Sequence, residues 1–126
     1  MNTEPEQLVR AYIEAYNRFD LAGMLACLSE DIHFENITNG QTDLELFGKE
    51  NFSAQAQQAA ALFAERRQTI EHLTLTDDQA MAEIHFTGKI ATDVPQGPKA
   101  GQIIDLKGKS LFTFRNGQIV HLQDIS

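Results

Sequence analysis

"GQIIDLKGKSLFTFRNGQIVHLQD", residues 101–124, carries the clearest structural signal in the chain. Ile104, Leu106, Ser110, Phe112 and Phe114 fall on one side of an extended strand, and Asp105, Lys107, Lys109, Thr113 and Arg115 on the other. Asn116-Gly117 suits a two-residue hairpin turn, because both positions accept positive φ. Past the turn, Val120, Leu122 and Asp124 share a face, opposite Ile119, His121, Gln123 and Ile125. The stretch therefore predicts a half-buried antiparallel hairpin with two polar residues, Ser110 and Asp124, on its apolar side. A carboxylate desolvated there would titrate closer to neutrality, as a general acid or base requires. The plainer readings are a solvated acid at a fraying strand end and a core serine bonded to backbone.

Upstream, "TIEHLTLT" (69–76) and "QAMAEIHFTGKIA" (79–91) alternate in the same way, joined by a turn at Asp77-Asp78. "TDVPQGPKAG" (92–101) is a loop by its prolines and glycines. "GKENFSAQAQQAAALFAERR" (48–67) predicts a helix, with Phe52, Ala56, Ala59 and Phe63 on one side and many alanines to favour it. "NGQTD" (39–43) is a turn or loop. "EDIHFENI" (30–37) is a strand that sets Ile32, Phe34 and Asn36 on one face and His33, Glu35 and Ile37 on the other. Asn36 is thus another polar side chain in apolar company, and enclosed there it needs a partner.

At the start, "TEPE" (3–6) reads as a helix opening: Thr3 as N-cap, Pro5 in the first turn, Glu6 closing a capping box. Leu8, Tyr12, Tyr16 and Phe19 form one stripe on about four turns of helix. Asp20 can cap a second, short helix, "LAGMLACLS". Two tyrosines on a buried stripe are either core or phenols aimed into a cavity, where they would stabilise a developing oxyanion. Helices first and strands later predict one α+β domain, residues 1–126, with an antiparallel sheet.

Composition narrows the function. Eighteen acidic against ten basic residues give a net charge of −8, which argues against nucleic acid and anionic membrane surfaces as partners. Cys27 is the single cysteine, so no internal disulfide is possible, and its apolar neighbours suit a small buried hydrophobe. Residues 1–25 show no basic segment followed by an apolar run, and no stretch approaches the roughly 20 apolar residues of a span, so a cytoplasmic protein is expected. His33, His72, His85 and His121 lie in separate predicted strands with no metal-ligand spacing between them, and no metal or cofactor is expected.

"LVRAYIEAYNRFDLAGMLACLSEDIHFEN", then "GKENF", then "FTGKIA" through "LFTFRNGQIVHLQD" together resemble the SnoaL-like branch of the nuclear transport factor 2-like superfamily, over essentially the whole chain. That superfamily includes ketosteroid isomerase, the SnoaL-type polyketide cyclases and limonene epoxide hydrolase. The resemblance implies a cone in which a strongly curved antiparallel sheet wraps three helices around an internal apolar cavity, often in homodimers packed through the outer sheet face. It aligns Tyr12 with the isomerase's oxyanion-hole tyrosine and puts Asn36 at its base, where an amide cannot take a proton; the second oxyanion donor falls near Ser110. It matches Phe34-Glu35-Asn36 to the hydrolase's aromatic-x-asparagine, but "QAMAEIHFTG" lacks that enzyme's arginine. Asp124 takes the place of the cyclases' catalytic aspartate and of the hydrolase's final-strand aspartate.

The resulting expectation is a cofactor-free enzyme moving a proton next to a carbonyl on a small, largely apolar molecule. It is isomerase- or cyclase-like, with hydrolysis less favoured. Asp124 is the candidate acid or base, Tyr12 and Ser110 are oxyanion donors, and Asn36 is an orienting group. Tyr16, Phe34, Phe112, Phe114 and Leu122 are the candidate wall. The alternative is a non-catalytic module that binds a hydrophobic ligand or serves as a dimeric scaffold.

Overall fold

The computed structural model describes residues 4–126. Helix α1 (Pro5–Asn17) begins with Pro5 in its first turn, where the missing N–H costs nothing. It buries Leu8, Val9, Tyr12, Ile13 and Ala15. The Thr3 cap of the expected capping box lies outside the described residues; Glu4, at the observed N-cap, makes no side-chain capping bond. Phe19 is not on the helical stripe: the helix stops at Asn17, and Phe19 takes a left-handed φ of 55°. Asp20 caps α2 (Leu21–Ala26) by accepting from the Gly23 N–H at 3.0 Å.

Two elements depart from the sequence expectation. Asn39-Gly40 is the expected turn, with φ values of 54° and 79°, but Gln41–Asp43 are not loop: they open a strand, β2 (Gln41–Phe47), turned back on β1 (Leu28–Thr38). Helix α3 (Lys49–Ala61) is shorter than expected, and β3 (Phe63–Leu75) starts at Phe63. Strand pairing outweighs the helical propensity of "AERR" because β3 runs its full length along β4 (Gln79–Ile90), Phe63 meeting Ile90 and Arg66 meeting Gly88. A Cβ on Gly88 would lie 2.8 Å from the Phe63 ring, so glycine there makes room for that ring to pack edge-on against Phe86.

With β5 (Ile103–Arg115) and β6 (Gln118–Ile125), the strands form one curved, unclosed sheet in the order β2-β1-β6-β5-β4-β3. Four of its pairings are antiparallel, as expected, and one, between β1 and β6, is parallel. The helices cover the concave face, and the core between them centres on Val9, Leu28, Ile32, Phe112, Ile119 and Leu122. Strict alternation fails at Ile119, which is fully buried: an irregularity between Thr113 and Phe114 shifts the register there. No helix among the described residues is long and apolar enough to cross a membrane.

Candidate active site

Asp124 is built into the sheet from both sides. Ser110 of β5 is its cross-strand partner and donates Oγ–H to Asp124 Oδ1 at 2.8 Å, while Asn36 faces it on β1. The strand end is not frayed. The Ser126 N–H donates to the Ile37 carbonyl at 2.9 Å and the Asn39 N–H to the Ser126 carbonyl at 3.1 Å. Gly108 lets this end pass close by, since a Cβ there would sit 2.7 Å from the Ile125 carbonyl oxygen.

Asp124 borders two adjoining cavities, of about 390 and about 230 Å³, with Tyr16 and Asn36 also common to both. Burial pushes its carboxyl up to about 6, against the pull of the Ser110 hydrogen bond. Among the described residues no cation pairs with it. The single Ser110 proton is engaged by Asp124, so Ser110 sits as the partner of the acid rather than as a free oxyanion donor, the role expected of it. Asn36 gives one N–H to Asp43 at 2.9 Å, not to Asp124.

Tyr12 is 5% exposed, borders the smaller cavity and packs edge-on to Phe112 with centroids 6.0 Å apart. Burial, then the nearby Asp124 charge, raises its phenol well above the usual range, so it stays protonated. Burial likewise pushes Tyr16 up to about 12, with the Arg66 charge opposing.

Arg66 is a site residue that the sequence did not reveal. It is 7% exposed, donates Nε–H to the Tyr16 carbonyl at 3.0 Å, and holds its guanidinium 3.7 Å from the Tyr16 ring centroid and 4.4 Å from that of Phe19. The C-terminus of α1 fixes β3 a second time: the Asn17 side chain accepts from the Gln68 N–H at 2.7 Å and donates to the Gln68 carbonyl at 3.0 Å.

The expected wall is partly corrected. Phe34 borders the smaller cavity, edge-on to Phe52. Phe112 and Leu122 do not line either cavity; at 1% and 0% exposure they are packed into the core beneath Tyr12 and the helices. Phe114 sits away from the site, beside a groove with Pro5, Leu8 and Asp77. Alternation tells which side of a sheet a residue takes, not how far along the cone it lies. The walls come instead from Leu44, Leu46, Phe52 and Ala56 for the smaller cavity, and Phe63 and Phe86 for the larger.

The convex side of the same strands gathers His33, Glu35 and His121, whose ligand-capable atoms all lie within 4.8 Å. Sequence spacing did not foresee this, because the parallel register sets His33 beside His121. His121 Nε2 is 2.7 Å from Glu35 Oε1, and His33 Nε2 is 2.7 Å from Glu45 Oε2. The two imidazoles stack at 4.3 Å with 3° between planes, so their in-plane lone pairs run side by side rather than converging on one point. Glu83 and His85 also face outward, alternating with buried Ala82 and Ile84; His85 Nε2 lies 2.7 Å from Asp105 Oδ1.

The sequence profile of the SnoaL-like domain matches residues 9–122, and the chain belongs to that family. Among solved structures it is similar to a candidate polyketide cyclase from Xanthomonas campestris pv. campestris, at 29% identity over 96% of this chain and 88% of that one, with a TM-score of 0.82. Two further structures share the fold. A candidate SnoaL-like polyketide cyclase from Shewanella denitrificans OS-217 is 22% identical over 97% of this chain and 90% of its own, with a TM-score of 0.80. A protein of ketosteroid isomerase-like fold from Catenulispora acidiphila DSM 44928, solved with trimethylamine, is 19% identical over 97% of this chain and 85% of its own, with a TM-score of 0.77. No curated protein matches the sequence.

Proposed function

We propose that this protein is a cofactor-free acid–base enzyme that moves a proton next to a carbonyl of a small, largely apolar molecule. The observation that carries this reading is Asp124: a carboxyl held in the sheet, bordering both cavities, unpaired with any cation among the described residues and pushed up to about 6 by burial. Such a group is mostly ionised at neutral pH yet basic enough to accept a proton. In the reaction, the Asp124 carboxylate takes a proton from carbon, and the C–H electron pair moves into the carbonyl, whose oxygen becomes an enolate. Tyr12, kept neutral by burial, donates a hydrogen bond to that oxygen. Ser110 holds the carboxylate in place, and Asn36 at the junction of the cavities orients the substrate. The enolate then takes the proton back from Asp124 at another carbon, an isomerisation, or its carbon attacks a second carbonyl within the same molecule, whose oxygen takes the Asp124 proton to become a hydroxyl, a cyclisation.

The names of the structural relatives support the same class. The test is deuterium exchange at the acidic C–H of a panel of aryl ketones and 1,3-dicarbonyls, followed by NMR. Catalysed exchange that disappears in Asp124→Asn, with ligand affinity retained, supports the reading. Exchange that survives in the variant removes Asp124 from the chemistry. Binding with no exchange in either protein leaves a ligand-binding module.

A further inference from the structure

The smaller cavity contains a charge that the proton transfer above does not use. Arg66 keeps its charge at any physiological pH. Taking a cation out of water is unfavourable unless an anion or good acceptors replace the solvent. Here Nε is satisfied by the Tyr16 carbonyl, and the faces of the guanidinium lie against Tyr16 and Phe19. No carboxylate among the described residues forms an ion pair with it. Burial opposes its charge, and the ionisable groups beside it, the phenols of Tyr16 and Tyr12, are kept neutral by burial.

A second observation points the same way. In a protein of net charge −8, Arg66 is the one cation bordering the smaller cavity among the described residues; Lys107 and Lys109 take the convex side with Glu83 and His85. Most of that cavity's wall is apolar, and Asp124 borders both it and the adjoining larger cavity.

We infer that Arg66 is an anion-binding subsite and that the natural ligand is a small, mostly apolar carboxylate: its carboxylate pairs with Arg66 and its carbonyl-bearing part reaches Asp124. The second clause rests on the proton-transfer reading; the first does not. A planar guanidinium held against the Tyr16 and Phe19 rings and fixed at Nε has its terminal N–H groups in a set plane, which suits a two-oxygen acceptor better than a single one. Arg66 also borders a surface groove with Glu65, Arg67, Thr87 and Lys89. The test therefore has to separate binding inside the cavity from binding outside it.

The probes are 4-oxo-4-phenylbutanoate and its methyl ester, extended to matched acid–ester pairs carrying naphthyl and cyclohexyl groups, titrated by calorimetry. The full-length protein should bind the acids at least tenfold tighter than their esters. Arg66→Gln should bring that ratio to about one while leaving ester affinity within twofold. Arg66→Lys should keep part of the preference, and Asp124→Asn all of it. Ala56→Leu, which narrows the smaller cavity, should weaken acid and ester together. No acid preference across the panel, whether through equal binding or none, overturns the proposal; so does a preference that Ala56→Leu leaves untouched, since that would place the anion in the outer groove. Because the ratio is read without turnover, a retained preference with no deuterium exchange refutes the acid–base reading alone, and exchange without a preference refutes the Arg66 subsite alone.

Discussion

Strands β1 and β6 lie side by side in parallel and carry ionisable groups on both faces. On the concave face, Asn36 meets Asp124 beneath the helices; on the convex face, His33 meets His121 and Glu35 lies between them. Both faces have a carboxylate held by a short hydrogen bond, 2.8 Å from Ser110 inside and 2.7 Å from His121 outside. Inside, the partner is a neutral hydroxyl and the acid is largely buried with no cation beside it among the described residues, so its charge is opposed and its proton affinity rises. Outside, two imidazoles stand within reach of the acid, and the cluster is partly open to water. The same strands thus carry a carboxyl raised by burial on one face and a histidine–carboxylate cluster on the other, and the difference lies in their partners and in what covers them.

The sharpest way to break that contrast is to neutralise each acid. Asp124→Asn should lower turnover by about 10² to 10⁴, while Glu35→Gln should leave it within about twofold. A large loss from Glu35→Gln, measured by deuterium exchange, would show that the two faces act as one unit. Stability should separate the faces by pH. Asp124 loses its proton near 3.8 when unfolded and near 6 when folded, so the folded state holds more protons in that interval. Stability from this residue is full below about 4 and is lost as pH rises through about 6. Removing the charge as Asn should therefore stabilise the protein at pH 8 by about 3 kcal/mol at most and have little effect at pH 4, seen in urea melts.

A smaller change sharpens the inner half. Ser110→Ala removes the hydrogen bond that restrains Asp124, so the pH–rate profile should rise at higher pH than in the parent, with the plateau reduced about tenfold or less. An unmoved profile would mean that another donor replaces the hydroxyl. The smallest effect is expected outside: His33→Gln or Glu45→Gln should alter stability by less than about 1 kcal/mol, since exposed pairs gain little in water. A larger loss in melts at low salt would mark the stacked histidines as structural.

The sequence showed some parts of this arrangement and hid others for identifiable reasons. The β5–β6 hairpin was legible because the alternation from Ile104 to Arg115 ends in Asn116-Gly117, whose φ values of 55° and 75° are those the dipeptide favours. Asn39-Gly40 has nearly the same geometry, yet the start of β2 beyond it reads as loop because "QTD" is three polar residues, and the strand's pattern shows only through Leu44 and Leu46. Asp124 and Asn36 stood out as polar groups on apolar faces. Arg66 could not, because its burial depends on a carbonyl 50 residues earlier in the chain and on the ring of Phe19, which leaves the helical stripe. Phe112 and Leu122 were placed on the correct face but at the wrong depth, since a period of two has no information about position along the cone axis.

The unclosed sheet leaves β2 and β3 as edges, and an edge strand offers unpaired backbone groups to any other chain. Midway along β3, the side chain of Asn17 occupies one such N–H and C=O pair, as a neighbouring strand would. A strand from a second molecule would have to displace this amide before it could extend the sheet across Gln68. The residue that clamps the cavity wall in place is therefore also a guard against end-on polymerisation, and Asn17→Ala would expose a template for aggregation as well as loosen the wall beside Arg66.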